Sequence, residues 1–578
     1  MEDKKMSQST MIRIHGDNIV ECDRALVLIA ESFGGTIHYV PSAVYLPRFE
    51  IRSGKAETLF TVELLAGHGR WGVDVQKQMQ NSGSPLHEAT DALVTKLLPD
   101  GTEEIVMAIE FSSALPAGNN AWQRTGRALT CAAIRMPYLY FAEVGGVELN
   151  EQRLKKASRL PTPLIPFSFI TASKFWTATC LPVYSASPSC GNDLMQVFHH
   201  AFGKQDGQII VRQILEGVDA SAHHDNLSLK ALAMTQTLSA QRRRTDTLRG
   251  DEWGEMLQTS LPQKKAQWLE AKHLMWRRKR SGKVSVTPTF KKLEEVFKKL
   301  NPISVGASEI PICVIPSKQR ALLADEFARL YAHNLPLKFV QWLSNTDEPL
   351  IVVWITGFKP HGDDSRPDRG LVPLARMLFG AQAHVLSIVY GPGKKEMWDK
   401  LKESPASAAS QNGLWEAVIN LSDAVFADSI NLKNDPLSLL LSRNTRPSKS
   451  KVTFPKVDQP LYFSEQDVDA VIHSLFARHE GEKVFEGLCN PPGGDWSGVS
   501  VFDFQSKEEF RWTSLPRVSG EDKRPDHVIQ FFESGSNFLL AMESKDRASK
   551  IESGVGKKLK RYMKKLMRVT PNIFRTEN

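Results

Sequence analysis

The first stretch of helical periodicity runs through Glu21, Arg24, Leu26, Leu28 and Ile29. Asp17 or Asn18 can cap it, and Gly34-Gly35 is a suitable stop. Strand-like runs follow at residues 37–46, 58–65, 91–95 and 105–110. A helix is predicted over 119–134 and a closing strand over 138–144. Residues 193–217 read as helical and then strand-like, and a long helical region extends from 227 to about 300.

Beyond it the pattern predicts helices around 317–343 and a buried strand at 349–355. A polar loop rich in Asp and Arg (361–370), a helix at 371–379 and a strand at 384–390 come next. After a Ser-, Arg- and Lys-rich linker, a helix over 464–487 carries Val468, Val471, Ile472, Leu475 and Phe476 on one face. Two short strands, 524–530 and 538–545, lead to a last helix with Val555, Leu559, Tyr562 and Leu566 in a stripe among cations. The predicted class is α/β (α+β). Its sections are 1–155, a mostly helical basic region at 156–310, an α/β region at 311–445 with the Asp/Arg-rich loop, and 446–578.

Chemistry concentrates in the last section. Pro525-Asp526 opens one predicted strand, and Glu543-Ser544-Lys545 ends the next. Carboxylates on neighbouring strands can converge on Mg²⁺, which binds through one or two carboxylates plus water and substrate phosphate. Strand residues two apart face the same way, so Lys545 shares the side of Glu543. This spacing resembles the PD-(D/E)xK nuclease superfamily, the restriction-endonuclease-like fold. The resemblance implies an αβββαβ core with a mixed sheet, Asp526 and Glu543 on metal, and Lys545 orienting the attacking water. It also implies a supporting role for Glu486 at the end of the first helix.

The N-terminal unit repeats the plan. Asp91 and Glu110 stand at a strand start and a strand end, so the resemblance makes them catalytic and metal-binding too, with Glu21 in support. Ser112 stands where the family has lysine. In that family a residue of the following helix sometimes takes over, which here points to Gln123 or Arg124. Whether this second site cuts, or only binds DNA, is open at this stage.

Net charge is +8, and it is local. Residues 241–300 hold 16 Lys/Arg against 7 Asp/Glu, and 541–578 hold 11 against 4, so together these exceed the whole surplus. Such patches are the footprint of a polyanion-binding surface. Candidate DNA contacts are Arg242, Arg243, Arg244, Arg277, Arg278 and Arg280, with Arg511 and Arg517 before the Pro-Asp. Trp268 and Trp276 lie among those charges, with core packing favoured over base stacking. Six scattered cysteines fit neither a zinc site nor a disulfide framework. No apolar run reaches membrane-spanning length and the start lacks a signal segment, so the expected location is cytoplasmic.

The expectation is a Mg²⁺-dependent endodeoxyribonuclease acting on double-stranded DNA, of type II restriction kind. It would carry two unlike active sites in one chain, act as a monomer or homodimer, and be paired with a cognate DNA methyltransferase. The alternatives are a defence or repair nuclease recognising DNA structure or modification, and a non-catalytic DNA-binding protein on a nuclease fold.

Overall fold

The computed structural model describes Thr10 to Val569 apart from residues 113–121, 146, 150–153, 157–159, 188–189, 243–245, 260–261, 278–283, 333, 357–365, 394, 410–412, 433–434, 444–450, 477–484, 491–496, 504–507, 516–524 and 534–535. Among the described residues the chain is an α/β protein. Its main sheets are a nine-stranded mixed sheet, a six-stranded mixed sheet and a five-stranded antiparallel sheet.

The nine-stranded sheet begins with Thr10–Gly16, which pairs parallel with Thr58–Ala66 and antiparallel with Ala92–Leu97. The helix Ile19–Ser32 follows, capped by the Asn18 side chain, which accepts from the Glu21 N–H at 3.1 Å. Its stop is Gly34, whose φ of 60° suits a residue without Cβ. The predicted strand at 37–46 is shorter, Thr36–Val40, and Arg48–Arg52 returns beside it. Pro41 and Pro47 break the run, since proline cannot donate to a sheet ladder. The strand Thr102–Ser112 alternates in burial up to Val106 and is then buried on both faces, because helices cover both sides. It pairs antiparallel with Ala92–Leu97 and parallel with Tyr138–Val144. Cys180–Ala186 extends the sheet beyond Tyr138–Val144. Residues 193–217 form two helices, Asn192–Phe198 and Lys204–Glu216, with no strand. Val211 and Leu215 are buried four positions apart, a helical spacing.

One apolar core runs from this sheet through the helices Gln123–Ala133, Leu164–Trp176 and Leu371–Phe379 into the six-stranded sheet. The centre of that second sheet is parallel, with Leu350–Thr356, His384–Tyr390 and Ala424–Asp428 side by side. The basic middle region contributes helices such as Ser221–Ala240 and Pro288–Leu300. Trp276 stacks on Trp354 at 5.7 Å and donates to the Ile310 carbonyl, so it packs rather than presents itself to a ligand.

The segment after the linker is pinned to the first sheet. Thr453–Pro455 pairs with Thr102–Glu104, and buried Arg13, bonded to Glu63 and Glu103, also donates to the Val457 carbonyl. The helix Glu465–Phe476 then starts with a reciprocal cap. Asp467 accepts from the Ser464 N–H at 2.8 Å, and Arg70 of the first unit bonds both residues. The helix predicted over 464–487 is therefore cut short, and Glu486 lies on the strand Phe485–Asn490 instead of at a helix end. The apolar period fades after Phe476, and Gly487 within the run disfavours helix. This strand sits between Ser497–Asp503 and His527–Glu533, with Ser536–Met542 beyond. Every pairing described here is antiparallel, whereas a mixed sheet was expected. Among the described residues no strand follows the last helix, Val555–Val569.

Candidate functional site

His527 pairs with Met542 across antiparallel strands, which sets Asp526 opposite Glu543 at the mouth of the hairpin. Two backbone bonds hold this corner. The Asp526 N–H donates to the Met542 carbonyl at 2.8 Å, and Asp526 Oδ2 accepts from the Ser544 N–H at 2.7 Å. Lys545 Nζ lies 2.9 Å from Glu543 Oε1 and 3.0 Å from Glu465 Oε1. The preceding helix thus adds an acid to the corner, and a turn later Asp469 Oδ1 meets His527 Nε2 at 2.8 Å.

Burial is the main force raising the pKa of Asp526 to about 6, with Glu543 and Asp469 adding repulsion. The Ser544 N–H and Lys545 pull the other way. Burial also disfavours the Lys545 ammonium, yet hydrogen bonds to Glu543 and Glu465 outweigh it and hold the lysine above its ordinary range. The corner is therefore acid-rich, partly open, and carries one amine within reach of a carboxylate.

The N-terminal unit builds the same corner from different residues. Ala92 pairs with Ile109, so Asp91 stands opposite Glu110. Asp91 Oδ2 accepts from the Phe111 N–H at 2.8 Å, the counterpart of the Asp526–Ser544 bond. In each unit the aspartate is tied to the amide that follows the opposed glutamate. The cation differs. Ser112 is buried, and the positive charge comes from the helix Gln123–Ala133. Arg127 Nη1 bridges Asp91 Oδ1, at 2.9 Å, and Glu110 Oε1, while Arg124 Nε is 3.1 Å from Glu110 Oε1. The Gln123 side chain lies outside the described residues.

Burial pushes Glu110 up to about 7, against the pull of Arg127 and with Asp91 adding repulsion. Glu21 of the first helix is raised still more strongly by burial, with Asp91, Asp17 and Glu110 contributing. The two guanidinium groups supply the cluster with positive charge from within. The segment predicted as an Asp/Arg-rich loop forms a short helix, Arg366–Arg369, in its described part, and it meets this unit. Arg369 Nη2 bonds Glu88 at 3.1 Å, and the Gly370 carbonyl accepts from Thr125 Oγ1 at 2.6 Å.

Other expected residues scatter. Arg242 is paired with Glu309, and Arg277 is exposed well away in sequence from either corner. Arg243, Arg244, Arg278, Arg280 and Arg517 lie outside the described residues, as do the side chains of Arg511 and Glu486. His223 meets Asp206 and His200 meets Thr237, ordinary surface pairs. Sequence reasoning missed Glu465, Asp469 and the bridging role of Arg127. The signal for the first two was an i, i+4 pair of acids just after a capping serine.

Among the described residues no group of three or more His, Cys, Asp or Glu side chains is arranged to hold a metal ion, and no helix is long and apolar enough to cross a membrane. Comparison with protein-family models, with curated proteins and with solved structures finds no match for this chain.

Proposed function

We propose that the chain is a Mg²⁺-dependent endodeoxyribonuclease on a restriction-endonuclease-like plan, with its cutting centre at Asp526, Glu543 and Lys545. The observation that carries this reading is the corner itself: opposed carboxylates, with a lysine amine 2.9 Å from one of them. The donor set fits a hard divalent cation, which takes oxygen ligands and needs only one or two carboxylates from protein. Asp526 and Glu543 would hold it, and a cation would offset both the burial and the carboxylate repulsion that raise the pKa of Asp526. Bound there, Mg²⁺ supplies Lewis-acid stabilisation of phosphate charge and a more acidic water.

The protein's own groups do the rest. The Ser544 N–H fixes the orientation of Asp526, and Glu465 positions Lys545 from the far side. Lys545 donates toward the scissile phosphate or the attacking water, stabilising the charge that builds on the phosphoryl oxygens. Exposed Lys557, Lys560, Arg561 and Lys564 on the last helix offer a path for the sugar–phosphate backbone.

One observation favours a second reading for the N-terminal unit. Arg127 already bridges Asp91 and Glu110, so that corner has its cation built in. On this reading the unit shapes the fold or binds DNA without cutting. The enzyme then nicks one strand as a monomer, or cuts both as a homodimer. A cytoplasmic location and a companion methyltransferase go with the restriction role. The test is digestion of a labelled duplex with Mg²⁺ and with EDTA. Cleavage only with Mg²⁺, leaving 5′-phosphate ends, supports the reading, and inertness under both conditions removes it.

A further inference from the structure

An open cleft of about 510 Å³ is lined by Tyr462, Phe463, Glu465, Asp546, Arg547 and Lys550, and Glu465 joins it to the C-terminal corner through Lys545. Leu461, Tyr462 and Phe463 are 70%, 56% and 65% exposed, three consecutive large apolar residues facing water. Their backbone is anchored nonetheless. The Leu461 N–H donates to the Arg70 carbonyl at 2.7 Å, Pro460 bridges Trp71, and the Phe463 ring meets Tyr45 edge-on at 5.6 Å. An apolar run that is both exposed and fixed marks a binding surface more than a stray hydrophobe.

Charge around the shelf selects the occupant. Asp546 is spoken for by Lys550 at 2.9 Å, and Glu465 by Lys545 at 3.0 Å. Arg547, 74% exposed, lies 3.7 Å from the same Asp546, so two cations share one carboxylate and leave a net positive charge at the cleft. A flat ring with an anionic tether fits this arrangement: the ring lies on tyrosine, and its phosphate meets Arg547 and Lys550. Stacking of this kind tolerates any base, since each has a π-face.

We propose that Tyr462 and Phe463 form a stacking shelf for an unpaired nucleobase next to the phosphodiester held at Asp526 and Glu543. The substrate is then DNA with single-stranded character at the cut: a flap, a gap or an extruded base. The substrate assignment rests on the nuclease reading, whereas the shelf can be measured without it.

The measurement uses the full-length protein in EDTA, where no cleavage occurs, and duplexes carrying 2-aminopurine either unpaired at a gap or fully paired. Binding quenches the unpaired probe and favours gapped over paired DNA. Tyr462→Ala removes the quenching and weakens gapped-DNA binding about tenfold, a typical loss for one base–aromatic stack. Tyr462→Trp restores both, which separates stacking from a folding defect. Equal affinity of wild type for the two duplexes, or unchanged quenching in Tyr462→Ala, overturns the shelf. So does Tyr462→Ala DNA binding recovered by removing a protein that copurifies on this face. Asp526→Asn is the separate control: if it cleaves like wild type in Mg²⁺ the nuclease reading fails, whatever the EDTA result.

Discussion

The two acidic corners share a backbone frame and differ in their source of positive charge. In both, an aspartate before one strand opposes a glutamate on the next and accepts from the amide beyond it. At Asp91 and Glu110 the gap is spanned by guanidinium groups from a helix, inside a buried cluster that includes Glu21. At Asp526 and Glu543 the cation is a lysine two residues on, shared with Glu465 at the edge of a cleft. A strand-pair frame can therefore serve either purpose. Arginine brings a fixed planar fork that bonds two carboxylates at once and closes the site. The lysine at the second corner instead bonds one oxygen of Glu543 and one of Glu465.

The largest effect that would sharpen this contrast is loss of cleavage. Asp526→Asn and Glu543→Gln should each abolish Mg²⁺-dependent cutting, and Lys545→Ala should slow it about 10²- to 10³-fold, the scale for losing one charge-stabilising donor. Gel quantitation of product formation reads this directly. Retained cutting in Lys545→Ala would make the amine a structural ion pair like Arg127.

Stability should show the reverse ranking. Arg127→Ala leaves Asp91 without its guanidinium partner while Arg124 stays beside Glu110, and removing one partner of a buried pair costs about 3–5 kcal/mol. Urea denaturation should give a smaller loss for Lys545→Ala, because Glu465, which shares the lysine, is partly exposed and can turn to water, whereas Glu110 is fully buried. Similar losses would erase the distinction between a closed corner and an open one.

The pH dependence has a defined sign. Folding raises the pKa of Asp526 to about 6, so the folded state binds the extra proton. That stabilising contribution is full below the ordinary aspartate range and disappears as pH rises through about 6. Metal binding needs the ionised form, so cleavage should fall as pH drops through the same region. Mg²⁺ should raise the melting temperature above pH 6 and do little at pH 5. A wild-type profile flat between pH 5 and 7 would contradict this. The smallest expected effect is a few-fold change in rate on Glu465→Gln, which leaves Lys545 with Glu543 and the Ser544 carbonyl.

Periodicity exposed much of this architecture in the sequence. The strands at 138–144 and 384–390 and the helix at 371–379 form at the predicted positions, because each has a steady apolar repeat. The Asp526 and Glu543 pair was legible because both residues sit at strand ends in a short hairpin. What the sequence hid depends on distance along the chain. Arg127 meets Asp91 across 36 residues, and Glu465 meets Lys545 across a whole sheet. No local pattern carries such contacts. The helix predicted over 464–487 rests on apolar spacing that ends at Phe476, and pairing with His527–Glu533 makes residues 485–488 a strand.

The most direct test of the contrast is a plasmid assay in Mg²⁺ with three purified, folded proteins: wild type, Glu110→Gln and Glu543→Gln. An arginine-closed N-terminal corner and a cutting C-terminal one predict the same products, nicked or linear, from wild type and Glu110→Gln, and intact supercoils from Glu543→Gln. Cleavage that survives Glu543→Gln, or stops with Glu110→Gln, would contradict it.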